Sequence, residues 1–226
     1  TRAAEAAPFD HIRRSPADGT FVNTPTRAVY RFAGGAPLYV PSWDDVGGSQ
    51  PSTRVSQAPL DAGGDPSYPW GHVAKYPQDG TFVNTPTGTV YRFAGGAPLA
   101  VSSWEAVGGS HASTQVSAEV LERGGATAYP WGHTRFFPAD GTVLSPLYVA
   151  WSFKVTGGVA RKVTRQAGIA VDIAALDNAG RPIPWNHLKT SVPRATLNPL
   201  PTTTTQPTIS LTWGALVTAS RTVSYD

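Results

Sequence analysis

Short runs of alternating hydrophobic and polar residues, separated by turn-forming residues, recur along most of the chain. Residues 89–93 combine β-branched and aromatic side chains with alternating polarity, which is typical of a half-buried strand. Asp-Gly pairs precede such runs and Gly-Gly pairs follow them, and both pairs turn the chain because they tolerate positive φ. The pattern predicts an all-β fold built from β-hairpins.

This pattern returns at a fixed spacing. Residues 21–26 recur unchanged at 82–87, and residues 29–38 recur unchanged at 90–99, a spacing of 61 residues. We therefore predict tandem β-hairpin modules of about 60 residues. Module 1 covers 9–71, module 2 covers 72–132 and a degenerate module 3 covers 133–187. Each copy is expected to pack on its neighbours, and the three units can either cap one another in a compact body or stack as a rod.

Module 3 has drifted from the other two. The run at 151–158 stands where the other modules have Tyr-Arg-Phe-Ala-Gly-Gly, so Trp151 aligns with Tyr30 and Tyr91. No aromatic residue of module 3 aligns with Trp43. Residues 117–123 in module 2 predict one short helical turn that ends at a Gly-Gly pair. In module 1 the equivalent stretch contains Pro59, so an extended segment is equally compatible with it.

Residues 188–226 have a different character. Pro and Thr dominate 193–207, which predicts an extended linker. The runs at 209–213 and 223–226 resemble the opening strands of a fibronectin type III domain, so this part is expected to be an incomplete immunoglobulin-like or fibronectin-like β segment. The chain stops within a strand-like run, and its first residues look like the start of a mature secreted chain. A fragment of a larger polypeptide is expected.

Composition limits the classes of partner. Charged residues make up 15% of the chain and the net charge is only +3, without the dense basic stripe that nucleic-acid binding needs, so no nucleic acid is expected. The absence of Cys excludes disulfides and thiolate metal sites. No apolar run reaches the ~18–20 residues of a membrane span, so no membrane insertion is expected. No cofactor or metal is predicted.

Repeated aromatic residues are the candidates for a binding surface. Tyr and Trp beside Arg suit stacking on sugar rings, with a charged hydrogen-bond donor alongside. The alternative is that these rings form the core of small β modules. The candidate ligand-binding residues are Trp43, Trp104, Tyr30, Tyr91, Arg31 and Arg92.

A second repeated motif, Pro-Trp-Gly/Asn-His, closes each module. It predicts a structural joint in which Trp fills a core gap and the imidazole bonds a backbone carbonyl, whereas a metal site would need clustered partners. The joint residues are Trp70, His72, Trp131, His133, Trp185 and His187, and His11 occupies the same slot near the start of module 1. Asp18, Asp79 and Asp140 precede Gly-Thr in the three modules, which favours an Asx turn over a calcium site.

Catalysis is not predicted. Paired carboxylates are not retained between copies, since Asp44-Asp45 becomes Glu105-Ala106, and no nucleophile-elbow, zinc-protease or phosphate-loop motif occurs. The Asp-Gly-Thr-Phe-Val…Val-Tyr-Arg-Phe-Ala-Gly-Gly-Ala-Pro-Leu…Ser-Trp…Gly-Gly string resembles a tandem repeat of secreted actinobacterial proteins over 9–187. That resemblance implies an accessory unit located outside the cell or at its surface.

Taken with the repetition, the resemblance leads to a functional hypothesis. Duplicated weak sites gain avidity through effective concentration. We expect a non-catalytic binding or adhesion segment that attaches a larger secreted bacterial protein to polysaccharide or cell-wall glycan. The alternative is a structural stalk or assembly segment of a cell-surface protein or fibre.

Overall fold

A computed structural model describes residues 15–67 and 71–190, together with the backbone of residues 196–197, 211–214 and 221–223. The chain divides into two compact units, Thr1–Thr190 and Ser191–Asp226. Short strands and tight turns dominate the first unit, and the described residues of the second unit form short strands, so the all-β prediction is confirmed. None of the helices in the described ranges is long and apolar enough to cross a membrane.

Modules 1 and 2 contain the same four-stranded sheet. In module 1 the strands are β1 (Phe21–Asn23), β2 (Val29–Ala33), β3 (Ala36–Val40) and β4 (Thr53–Arg54), in the order β3-β2-β1-β4. In module 2 they are β5 (Phe82–Asn84), β6 (Val90–Ala94), β7 (Ala97–Val101) and β8 (Thr114–Gln115), in the order β7-β6-β5-β8. The fourth strand runs parallel to the first, and the other pairs are antiparallel.

Module 3 keeps three of these strands. They are β9 (Val143–Leu144), β10 (Trp151–Thr156) and β11 (Val159–Thr164). An isolated parallel bridge between Leu144 and Ile169 takes the place of the fourth strand. The register sets Phe153 opposite Leu144. Leu144 is the counterpart of Val22, which lies opposite Tyr30 in module 1. Phe153, not Trp151, is therefore the counterpart of Tyr30 and Tyr91, so the sequence alignment at Trp151 was wrong.

One short helix follows the sheet in each module. These helices are α1 (Ala58–Asp61), α2 (Ala118–Glu122) and α3 (Ile173–Asp177), and single 3-10 turns occur at Trp43–Val46 and Glu105–Val107. Ser117 and Asp172 cap α2 and α3 by accepting hydrogen bonds from backbone N–H groups two residues on. Pro59 does not prevent α1, because it lies in the first turn, where no intrahelical N–H donor is needed.

Consecutive modules share their hydrophobic cores. Ala33 and Leu38 of module 1 are fully buried in a cluster made mainly of module 2 residues, including Val120 and Leu121 of α2. Ala94 and Leu99 of module 2 are buried in the same manner in a cluster with module 3 residues. Because a sheet face of one module is covered by the next, each copy stabilises its neighbour.

The Gly-Gly turn of one module inserts into the next. The Gly34 carbonyl accepts a 3.0 Å hydrogen bond from the Gln78 N–H, and the Gly95 carbonyl accepts one of 3.0 Å from Ala139. A Cβ on Gly34 or Gly95 would lie 2.2 Å from a threonine Oγ1 of the following module, and φ at these positions is +55° and +56°. Only glycine combines that conformation with so close an approach.

The repeated acids hold these turns from within each module. They are Asp18, Asp79 and Asp140. Each carboxylate accepts a hydrogen bond from the first glycine N–H of its own module's Gly-Gly turn, at 2.7, 2.6 and 2.7 Å. The partner is 16 or 17 residues away along the chain, so the expected local Asx turn is replaced by a longer-range bond.

The described residues of the second unit form a small antiparallel sheet. Its strands are β12 (Thr196–Leu197), β13 (Leu211–Gly214) and β14 (Arg221–Val223), in the order β12-β13-β14. The strand-like runs predicted at 209–213 and 223–226 each contribute part of this sheet. Residues 209–210 and 224–226, and all but two residues of the predicted linker at 193–207, lie outside the described residues.

Candidate functional site

The same three side chains form a partly exposed cluster in modules 1 and 2. Strand pairing sets Phe21 opposite Arg31 and Phe82 opposite Arg92, and each guanidinium carbon lies 4.9 Å from the ring centroid. A tryptophan ring centroid lies 5.4 Å from each phenylalanine centroid. We call these the aromatic–arginine clusters: Phe21, Arg31 and Trp43 in module 1, and Phe82, Arg92 and Trp104 in module 2.

Local turn chemistry fixes the two tryptophans at the sheet edge. Trp43 opens a 3-10 turn whose first N–H groups are capped by the Ser42 hydroxyl, which accepts from the Asp44 N–H at 3.2 Å. The turn ends in a Gly-Gly pair, and the second glycine donates to the Trp43 carbonyl at 2.8 Å. Gly109 donates to the Trp104 carbonyl at the same distance. Both indole rings are half-buried, so each offers part of its surface to solvent.

Module 2 extends its cluster with His111. The imidazole of His111 is exposed and stacks on Phe82 with a centroid distance of 4.5 Å and an interplanar angle of 9°, and it lies 6.2 Å from the Trp104 ring. Gln50 occupies the equivalent position in module 1. Sequence reasoning missed His111 because it searched for residues repeated in every module. The replacement of Gln50 by His beside a repeated Trp was the available signal.

An open pocket of about 440 Å³ lies beside Trp104. Thr87, Thr89, Ser102 and Ser103 are among its lining residues, and the Ser102 hydroxyl donates to Asp172. The volume falls within the range of small-ligand sites, and hydroxyl groups next to an aromatic ring can both donate to and accept from a sugar. Trp104 therefore belongs to two adjoining surfaces, the aromatic–arginine cluster and this pocket.

The two arginines serve the fold as well as the cluster. Arg31 donates from Nη1 to the Gln115 carbonyl at 2.7 Å, and the Gln115 side chain donates to the Asp45 carbonyl at 2.9 Å, so this network joins modules 1 and 2. Burial lowers the pKa of Arg31 and of Arg92. Their Nε atoms are buried and have no hydrogen-bond partner in the described part of the chain. Much of each guanidinium is thus enclosed by the protein.

Tyr30 and Tyr91 lie in the core. Their side chains are 0% and 2% exposed, so neither ring is open to a ligand, and we remove both from the candidate binding residues. Their position follows from strand alternation, since they point to the opposite sheet face from Arg31 and Arg92. Burial, with a smaller contribution from the Glu122 carboxylate, raises the pKa of Tyr91 to about 12. Burial also raises the pKa of Tyr30.

The closing motif lies at the joints between modules. His133 Nδ1 donates to the Lys75 carbonyl at 3.0 Å and His187 Nδ1 donates to the Phe136 carbonyl at 2.9 Å, and both imidazoles are buried. Trp131 packs edge-on against Tyr39 of module 1. Trp185 packs against both shared hydrophobic cores, the one between modules 1 and 2 and the one between modules 2 and 3.

The joint residues of module 1 differ from these. His72 is exposed, and Trp70 lies outside the described residues.

A second cavity, of about 310 Å³, lies beside His133 at the joint between modules 1 and 2, here called the first joint. At the second joint, around His187 between modules 2 and 3, Asn186 donates to Glu122 at 2.7 Å. The first joint has Gly132 and the shorter Asp61 at those positions, which leaves the space empty. The cavity is therefore explained by two smaller side chains.

Within 15–67 and 71–190, no group of three or more His, Cys, Asp or Glu side chains is arranged to hold a metal ion. Comparison with protein-family models, with curated proteins and with solved structures found no match for this chain. The site geometry therefore carries the functional argument.

Proposed function

We propose that the tandem modules are a non-catalytic, extracellular binding segment that attaches a larger secreted protein to a glycan such as the cell wall. Trp43 and Trp104 are the contact surfaces, and the Phe rings beside them support the indoles, with Phe82 buried beneath His111. His111 and the hydroxyl-lined pocket beside Trp104 make module 2 the stronger of the two sites.

One observation supports this proposal above the others. The Trp–Phe–Arg geometry is the same in two modules, with 5.4 Å between the aromatic rings, and both tryptophans remain partly exposed. Aromatic faces stack on the apolar faces of sugar rings, and the neighbouring hydroxyls add hydrogen bonds. Two weak sites on one body bind a repeating polymer more tightly than either site alone.

A structural role is the alternative. The continuous cores between modules and the buried His133 and His187 favour a rigid spacer or stalk that presents another part of the polypeptide. In that case the aromatic–arginine clusters only stabilise the sheets, and Trp43 and Trp104 make no contact with a polymer.

Removal of the two indoles tests the proposal. We expect Trp104→Ala to weaken sedimentation with purified, insoluble cell wall by about tenfold, which corresponds to about 1.4 kcal/mol of binding free energy. Trp43→Ala should have a smaller effect, and the double variant should remain in the supernatant because avidity is lost.

Trp151→Ala is the matched control, since Trp151 is 38% exposed but lies outside both clusters. It should bind like the wild type. Melting curves establish that each variant is folded. If the folded double variant still sediments with the wall, or if the wild type does not, the glycan proposal fails and the stalk alternative stands.

A further inference from the structure

The outer face of the module 3 sheet differs from the same face in the other modules. In modules 1 and 2 this face carries Leu38 and Leu99 opposite the two arginines, and both leucines are buried under the next module. In module 3 the register sets Lys154 opposite Arg161, and both side chains are exposed. Thr156, also exposed, stands where Ala33 and Ala94 are buried.

Two like charges directly opposite each other on neighbouring strands repel, so this pair costs stability. Within the described ranges, neither Lys154 nor Arg161 forms an ion pair. Two of the three carboxylates of module 3 are engaged elsewhere, because Asp140 accepts from the Gly157 N–H and Asp172 accepts from Ser102. No ion pair in the described part of the chain therefore compensates the charges of Lys154 and Arg161.

Charge is also unequal between the modules. Module 3 has six Lys and Arg against three Asp, whereas module 2 has three against four acids and module 1 has five against six. A terminal repeat needs only polar residues on its outer face to stay soluble. Solubility alone does not select a cation opposite a cation, so the placement indicates a partner of opposite charge.

We propose that this outer face of module 3, centred on Lys154 and Arg161, binds an anionic polysaccharide. The occupant follows from the charge and from the exposure of both side chains, which suit a long polymer with regularly spaced carboxylate, phosphate or sulfate groups. Attraction between exposed charges raises the local polymer concentration and weakens with salt. This surface is separate from the aromatic–arginine clusters and does not depend on their function.

The test measures binding of the full chain to polygalacturonate and heparin, with neutral dextran as the uncharged reference. The Lys154→Gln/Arg161→Gln variant should raise the dissociation constant for both anionic polymers by at least about fivefold. The Arg27→Gln/Arg54→Gln control removes the same charge from two exposed arginines of module 1 and should stay within about twofold of the wild type. Raising NaCl from about 0.05 to about 0.5 M should weaken wild-type binding.

Melting curves separate binding from folding. The Lys154→Gln/Arg161→Gln variant should melt at the same temperature as the wild type or higher, because the repulsion is removed. Equal binding by this variant and the control would overturn the inference. So would wild-type binding to phosphatidylglycerol vesicles without binding to either polymer, since the face would then be a membrane contact. The Trp43→Ala/Trp104→Ala variant should keep its polyanion binding, which makes failure of the wall proposal distinguishable from failure here.

Discussion

His133 and His187 show how one residue type holds equivalent joints with different surroundings. His187 lies with Nε2 3.5 Å from Glu122, and this contact and the Asn186 hydrogen bond lower the pKa of Glu122 against the opposing effect of burial. His133 bonds the Lys75 carbonyl, and burial lowers the pKa of His133 even though that bond and the charge of Asp61 act in the opposite direction. The first joint is thus built around a neutral imidazole.

That neutral imidazole predicts acid sensitivity. Because the folded pKa of His133 lies below its unfolded value of about 6.5, the unfolded chain takes up the proton first, and stability is lost as pH falls through and below that value. Urea unfolding at about pH 7.5 and about pH 5.5 should show a smaller free energy of unfolding at the lower pH. His133→Asn, whose amide can still donate to the Lys75 carbonyl, should flatten that difference. If His133→Asn leaves the difference in unfolding free energy between the two pH values unchanged, that difference arises from groups other than His133. Glu122 does not account for it, because its contribution is lost only below about pH 4.5.

At the scale of elements, the Gly-Gly turn is what links one sheet to the next module. The turn is held from inside by the repeated Asp and from outside by a backbone N–H of the following module. In module 3 the same turn is present, but a Cβ on Gly157 would meet no described atom within 4 Å. The same Gly-Gly pair therefore contributes differently to stability in modules 2 and 3.

Alanine substitution separates the two contributions. Gly157→Ala should lose only about 1–2 kcal/mol, because a Cβ is strained at positive φ. Gly95→Ala should lose several kcal/mol in addition, since its Cβ would overlap Thr142 and the interface with module 3 would have to open. Chemical denaturation of both variants measures the difference, and equal losses would show that the turn does not lock the modules together.

At the scale of the molecule, module 3 ends the series of packed sheets. Its drift from the other copies includes the outer face, where Thr156 and Arg161 replace buried Ala and Leu. A polar outer face is what keeps the last repeat of such an array from associating with further copies. The polar residues Thr156 and Arg161 thus fit the position of module 3 as the last of the packed repeats.

Replacing the polar outer-face residues of module 3 with the residues found in modules 1 and 2 should remove this protection against self-association. The Thr156→Ala/Arg161→Leu variant recreates the Ala33 and Leu38 surface without a module to cover it, and we expect concentration-dependent self-association in sedimentation velocity experiments. The control, Thr26→Ala/Arg54→Leu, makes the same exchange at exposed positions of module 1 and should remain at the wild-type size. A monomeric outer-face variant would argue against the capping role.

The repeat spacing, the all-β class and the positions of the turns followed from sequence alone, because turn formation depends on a few adjacent residues such as Gly34-Gly35 and Asp18-Gly19. The candidate list of aromatic residues also came from sequence, and it included Trp43 and Trp104. The tertiary structure decided which rings reach solvent, since burial of Tyr30 and Tyr91 depends on strand register and on the next module. It also gave Asp18 its partner 16 residues away and showed the like-charged face of module 3. These features depend on contacts between distant parts of the chain, and local sequence does not specify such contacts.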